Sequence, residues 1–207
     1  RFGVPGVVSV MALPSQPLSG PPIPRPNRPF IERLHAHFSP RTPLATELYV
    51  IGCEYVPLGI ATTVAIREGH QRDATLFAIR EALKRLLWPL PPGGIEGSGW
   101  PLGRSVRERE IVVEISRVAG VAEVGGINLF RRADGEHGPE WRVLPRNSAD
   151  PTQTLTLEAW QLPELLSVLV VDGRPGEGAP GDLRTLPNPF ADADPVAVPV
   201  EPEVWCW

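Results

Sequence analysis

Proline is concentrated toward the two ends of this chain, and that distribution limits where a folded core can form. Pro14, Pro17, Pro21, Pro22, Pro24, Pro26 and Pro29 fall within residues 12–29, and the chain after Gly173 is proline-rich, acidic and aperiodic. Proline has no backbone N–H and a fixed φ, so such stretches prefer extended, polyproline-like geometry. The 26 prolines and 20 glycines make up about a fifth of the 207 residues, against an average nearer ~12%. This predicts a compact centre with extended arms: residues 1–27 as a Pro-rich linker or arm, 28–172 as the folded domain, and 173–207 as an extended Pro-rich tail. The apolar fraction of 42% is enough to give that centre a buried core.

Within the centre, a short helix is expected over residues 29–38, with Asn27 or Arg28 near its cap and Pro29 in its first turn. Phe30, Ile31, Leu34 and Phe38 make its apolar stripe. Residues 47–52 read as a strand and 55–67 as a longer one. In the longer strand Leu58, Ile60, Thr62, Val64 and Ile66 point one way, and Gly59, Ala61, Thr63 and Ala65 the other. A large and a small face on one strand predict a helix packed close to a sheet. Residues 73–88 carry apolar side chains at helical spacing, with Asp73 as the expected N-cap, and the Pro/Gly run 89–99 ends that helix. Beyond it we expect a helix over about 106–118, a strand over 121–131 with Gly125-Gly126 as a bulge or a close backbone approach, and a turn over 132–139. Residues 140–144 would pair back, and strands over 154–160 and 165–171 would complete the sheet. The resulting fold class is α+β, a ferredoxin-like-type sandwich of mainly antiparallel strands with helices on one face.

The segment 97–110 combines a rigid Trp100-Pro101 turn, a glycine switch at Gly103 and a helix start. Ser105 followed three residues later by Glu108 has the spacing of a capping box. It reads as a scaffold element without catalytic equipment.

The chemistry that would mark an enzyme or a cofactor protein is not assembled in this sequence. Gly94 and Gly99 have the spacing of a phosphate loop, but Trp100 and Pro101 stand where that loop needs lysine and a hydroxyl. His35 and His37 lie two apart and diverge on a helix, so they share no metal, and His70 and His137 stand alone in turn-like segments. Glu108 and Glu110 are flanked by Arg107 and Arg109 and read as helix surface. No catalytic, cofactor-binding or metal-binding residues are therefore assigned. A net charge of −4 supplies no basic field for nucleic acid. Lys84 is the only lysine beside nineteen arginines, which fits a GC-rich genome or planar, interface-type pairing. Cys53 and Cys206 lie far apart without a pairing signature, in keeping with a reduced, intracellular protein. No apolar run approaches the ~20 residues of a membrane span. The sequence starts at Arg1, which we read as the start of a fragment of a longer chain. Its last residues, Val204-Trp-Cys-Trp207, place two large apolar rings that need a surface to bury them, on this domain or on a partner.

Trp100-Pro-Leu-Gly-Arg104, Ser105-Val-Arg-Glu-Arg-Glu110, then Val118-Ala-Gly-Val121 and Val124 together resemble the C-terminal region of the baseplate J-like family. Pro40-Arg-Thr-Pro-Leu-Ala45 and Glu54-Tyr-Val-Pro-Leu58 upstream, and Leu162-Pro-Glu-Leu165 downstream, fit the same order, so the resemblance spans residues 28–172. It implies a non-enzymatic wedge component of a contractile phage tail or contractile injection system, assembled in the cytoplasm. Such a subunit joins neighbouring wedges around a hub in a sixfold ring and supports the sheath. Its partners would be other wedge proteins, neighbouring copies or J-like paralogues, and sheath and hub components. Family members are longer than this chain, and the tail after Gly173 has no counterpart in them. Trp100, Arg104, Trp205 and Trp207 are the expected interface anchors, because Trp and Arg dominate binding hot spots, with packing inside its own domain as the alternative for Trp100. The alternatives are a small-molecule-sensing ferredoxin-like regulatory module, and an enzyme using Asp134, Glu136 and His137 of one turn.

Overall fold

A computed structural model describes residues 5–18, 23–135, 138–146, 151–173, 178–181 and 183, with the side chains of 134 and 135 outside that description. The elements run β1 (Val7–Ala12), α1 (Arg28–Phe38), a short 3-10 turn (Ser39–Arg41), β2 (Glu47–Gly52), β3 (Glu54–Ile66) and α2 (Arg72–Leu86). They continue with β4 (Val106–Arg107), α3 (Glu108–Ser116), β5 (Val121–Gly135), β6 (Gly138–Val143), β7 (Thr154–Leu155) and β8 (Gln161–Asp172).

The fold is α+β, built on a four-stranded sheet in the order β6-β5-β3-β8. β5 is antiparallel to both β3 and β6, while β8 runs parallel to β3. A parallel neighbour requires a long return of the chain, and here everything from α2 to β7 lies between the two strands. The large face of β3 carries the core. Leu58, Ile60 and Val64 meet Ile79 and Leu83 of α2 and Ile111 and Ile115 of α3, all fully buried. The helices therefore pack on the large side. The small side of Gly59, Ala61 and Thr63, where the alternation predicts a close-packed helix, instead receives residues 178–181 and Leu183.

A second, smaller unit precedes this sheet. β1 and β2 pair in parallel, Val10 opposite Val50, with α1 between them in sequence. Asn27 caps α1 by accepting from the Phe30 amide at 3.0 Å, as its position before Pro29 predicts. None of the α1 side chains is fully buried.

Two local expectations fail for the same reason, a long-range partner outbidding a local one. Val106 and Arg107 are not helical, because they form strand β4 against Leu155 and Thr154. Helix α3 then starts at Glu108 with Arg107 at its cap and no capping side chain. The Ser105 hydroxyl accepts from the Leu157 amide at 3.5 Å, and the Glu108 carboxylate is taken by Gln153 and Arg146, so no capping box forms. The expected strand over 154–160 is reduced to Thr154–Leu155 by the same pairing, although Leu155 and Leu157 both reach the core.

The remaining differences are small. Gln71, not Asp73, holds the N-cap position of α2, without a capping side chain, and Asp73 sits in the first turn where its charge favours the helix dipole. Residues 132–135 prolong β5 instead of turning, and Gly135 pairs with Gly138. At Gly125-Gly126 the β3–β5 register slips by one residue between Thr62 and Val64, the bulge expected there.

Candidate functional site

The Gly-rich run after α2 brings Trp100 back under the helix. Its backbone amide donates to the Trp88 carbonyl at 2.8 Å, and its ring is only 2% exposed in the main core. The indole N–H donates to the Arg104 carbonyl at 3.0 Å, which closes the 100–104 turn. Gly103 sits at φ +72°, a conformation costly for residues with a Cβ, and packs against the Ala159 backbone. Arg104 lays its guanidinium 5.1 Å from the centroid of the Trp100 ring and donates to Glu110 at 2.7 Å. Arg104 keeps 37% of its side chain exposed, and Pro101 and Leu102 of the same turn are also exposed. Of the four expected anchors, two are thus brought together, one buried and one at the surface. Trp205 and Trp207 lie outside the described residues.

Next to this corner stands a polar node not anticipated from the sequence. Gln153 is 1% exposed. Its amide oxygen accepts from the Leu129 N–H at 2.6 Å and its amide nitrogen donates to the Leu144 carbonyl at 2.5 Å. Its backbone N–H donates to Glu108 at 2.7 Å, and Arg146 donates to the same carboxylate oxygen at 2.7 Å. Arg146 also reaches the Ile127 and Pro151 carbonyls at 2.7 and 2.8 Å. One glutamine thereby ties β5, the chain after β6 and the start of α3. A lone Gln in a loop rich in Ser, Thr, Asp and Pro carries no sequence signal for that role.

The proline segment is bolted to the sheet at the start of β3 and β8, where Tyr55 pairs with Leu162. Tyr55 donates to the Pro24 carbonyl at 2.9 Å, Arg25 stacks 5.1 Å from the Tyr55 ring centroid, and Arg25 pairs with Glu164 at 3.1 Å. Burial pushes the Tyr55 hydroxyl well above its ordinary range, so it stays protonated and donating. Burial also pushes the Glu164 carboxyl above the usual carboxylate range, with the Arg25 cation pulling it partly back. An acid whose pKa is raised in the folded state adds stability that is complete below its unfolded pKa and is lost as pH rises through the folded value. Glu164→Gln removes this dependence. Urea melts from pH 4 to pH 7 are expected to show the variant gaining on the wild type as pH rises, and parallel curves would contradict the assignment.

The β1–β2 unit presents a third surface. Tyr49 and Ile51, alternate residues of β2 on one face, are 50% and 41% exposed, Leu44 projects fully from the turn before β2, and Val8, opposite Leu48, is exposed on the other face. Among the described residues β1 and β2 pair only with each other. Parallel strands are normally covered on both faces and flanked by further strands, so this unit is apolar and open where a folded monomer is usually closed.

Groups that would do chemistry stay apart. His35 and His37 lie on α1, two residues apart, and His70 is in the turn before α2. Asp134 lies in β5 opposite Pro139, while Glu136 and His137 are outside the described residues. Glu108 and Glu110 are each engaged by an arginine, Arg146 and Arg104. Among the described residues no three His, Cys, Asp or Glu side chains gather, and no helix is long and apolar enough to cross a membrane. Cys53 is a half-buried free thiol whose pKa burial raises.

No protein-family model matches the chain, and no curated protein matches it. Among solved structures it is similar to a chain of the cryo-EM structure of the anti-feeding prophage baseplate, sixfold symmetrised, at 13% identity and a TM-score of 0.48. That match covers 79% of this chain and 31% of the other, so the present chain spans about a third of its length.

Proposed function

We propose that this chain is a structural, non-enzymatic wedge component of the baseplate of a contractile phage tail or injection system, joining neighbouring wedges around the hub and supporting the sheath. The observation that carries the reading as an assembly part is the open β1–β2 unit. It exposes Tyr49 and Ile51 on one face of a two-stranded parallel sheet, with Leu44 in the turn before it, an arrangement completed by neighbours. The kind of assembly comes from the sequence resemblance over residues 28–172. In this reading residues 1–27 form an arm, 28–172 the body and 173–207 a tail. Arg104, seated on Trp100, and the tail residues Trp205 and Trp207 are the contacts to other wedge proteins, neighbouring copies, sheath and hub. Assembly takes place in the cytoplasm and involves no nucleic acid.

The test is a pull-down of the tagged full-length chain from its native host. Sheath, tube and further wedge proteins are expected to co-purify. A clean monomer that brings down none of them would overturn the reading and favour a small-molecule-sensing module.

A further inference from the structure

We propose that the small-residue face of the four-stranded sheet is a binding groove for an extended Gly-Ala-Pro-Gly-x-Leu segment. Its ligand is this chain's own residues 178–181 with Leu183, held as a separable ligand. The inference is independent of the baseplate reading.

The receptor side is drawn from alternate residues of β3 and β5, which share a face because strand side chains alternate. Thr63 donates its hydroxyl to the Gly178 carbonyl at 3.0 Å, and the Asn128 side-chain amide donates to the Pro180 carbonyl at 3.1 Å and the Ala179 carbonyl at 3.5 Å. Backbone carbonyls placed outside any ladder need such partners, and Pro180 brings no N–H of its own to satisfy. The groove floor has no room for side chains at two positions. A Cβ on Gly126 would collide with the Ala179 amide nitrogen, and one on Gly59 would lie 2.5 Å from the Leu183 methyl. Leu183 ends the segment as its anchor, 5% exposed among Ala61, Phe130 and Leu169, with Trp141 packed alongside.

Entry to the groove lies beside the end of β8. The Gly173 amide donates to the Val64 carbonyl at 3.0 Å, next to the Thr63 that holds Gly178. Leu183 lies on the sheet face opposite the helices.

The test uses the full-length chain with a protease site placed within residues 174–177. After cutting, fragment 178–207 is expected to co-elute with the body in size-exclusion chromatography. Leu183→Ala is expected to weaken its retention about ten- to hundredfold, the loss that goes with exposing a buried leucine. A fragment that leaves a body with unchanged circular dichroism, or one retained equally with Leu183→Ala, would overturn the proposal.

Discussion

Gln153→Ala is expected to lower the thermal midpoint by about 5–12 °C, corresponding to a loss of about 2–4 kcal/mol. The side chain satisfies the Leu129 N–H and the Leu144 carbonyl in a site that is 1% exposed. Truncation leaves a donor and an acceptor buried without partners, and each forfeits its desolvation cost, about 1–3 kcal/mol. The backbone contact from Gln153 to Glu108 survives the change, so the sheet and α3 should stay joined and secondary structure at room temperature should be preserved. Thermal and urea melts followed by circular dichroism check this. A midpoint within ~1 °C of wild type would mean that the Gln153 side chain does not hold β5 and the post-β6 segment together.

Trp100→Ala should cost about 3–5 kcal/mol, the usual range for emptying a buried aromatic site. It also frees the Arg104 carbonyl and removes the surface on which the Arg104 guanidinium lies. Arg104→Ala removes a part-exposed ion pair with Glu110 and the contact of its guanidinium with the Trp100 ring, for which about 1 kcal/mol is expected. The two variants thus separate folding from docking. Arg104→Ala should melt close to wild type yet be recovered in fewer assembled particles, whereas Trp100→Ala loses particles because it loses the fold. An Arg104→Ala protein that assembles at wild-type yield would remove this residue from the interface.

What could be read from the sequence follows from how local each interaction is. Helix α1 and its Asn27 cap, strand β2, the two-faced β3 and the Gly125-Gly126 bulge were legible because their signals lie within a few residues of one another. The Ser105–Glu108 capping box failed although its spacing was right. Thr154 and Leu155, about fifty residues on, offer Val106 and Arg107 a strand pairing, and Gln153 and Arg146 offer Glu108 stronger partners. Strand β1 carried no usable signal for a similar reason. Its six residues acquire meaning only beside β2, across the proline run. The small face of β3 was recognised, but its occupant was not, since residues 178–183 sit in a stretch whose composition suggests only an extended tail. At the candidate site, motif and residue type single out Trp100 and Arg104 as expected anchors, and the structure brings the two together with Trp100 buried in the core. Gln153, Glu164 and Leu183 were not singled out, because a buried glutamine or a single anchoring leucine looks like any other until its neighbours are known.

The central claim, that this chain is built into the end of a contractile particle, is tested most directly by locating it there. Particles purified from the native host with a tagged full-length chain would be labelled with gold against the tag and imaged in negative stain. We predict label at one end of the tube, on the baseplate side of the sheath, distributed with sixfold symmetry in end views. Label absent from all particles, while the tagged chain is recovered as a free monomer, would contradict a structural role in the baseplate.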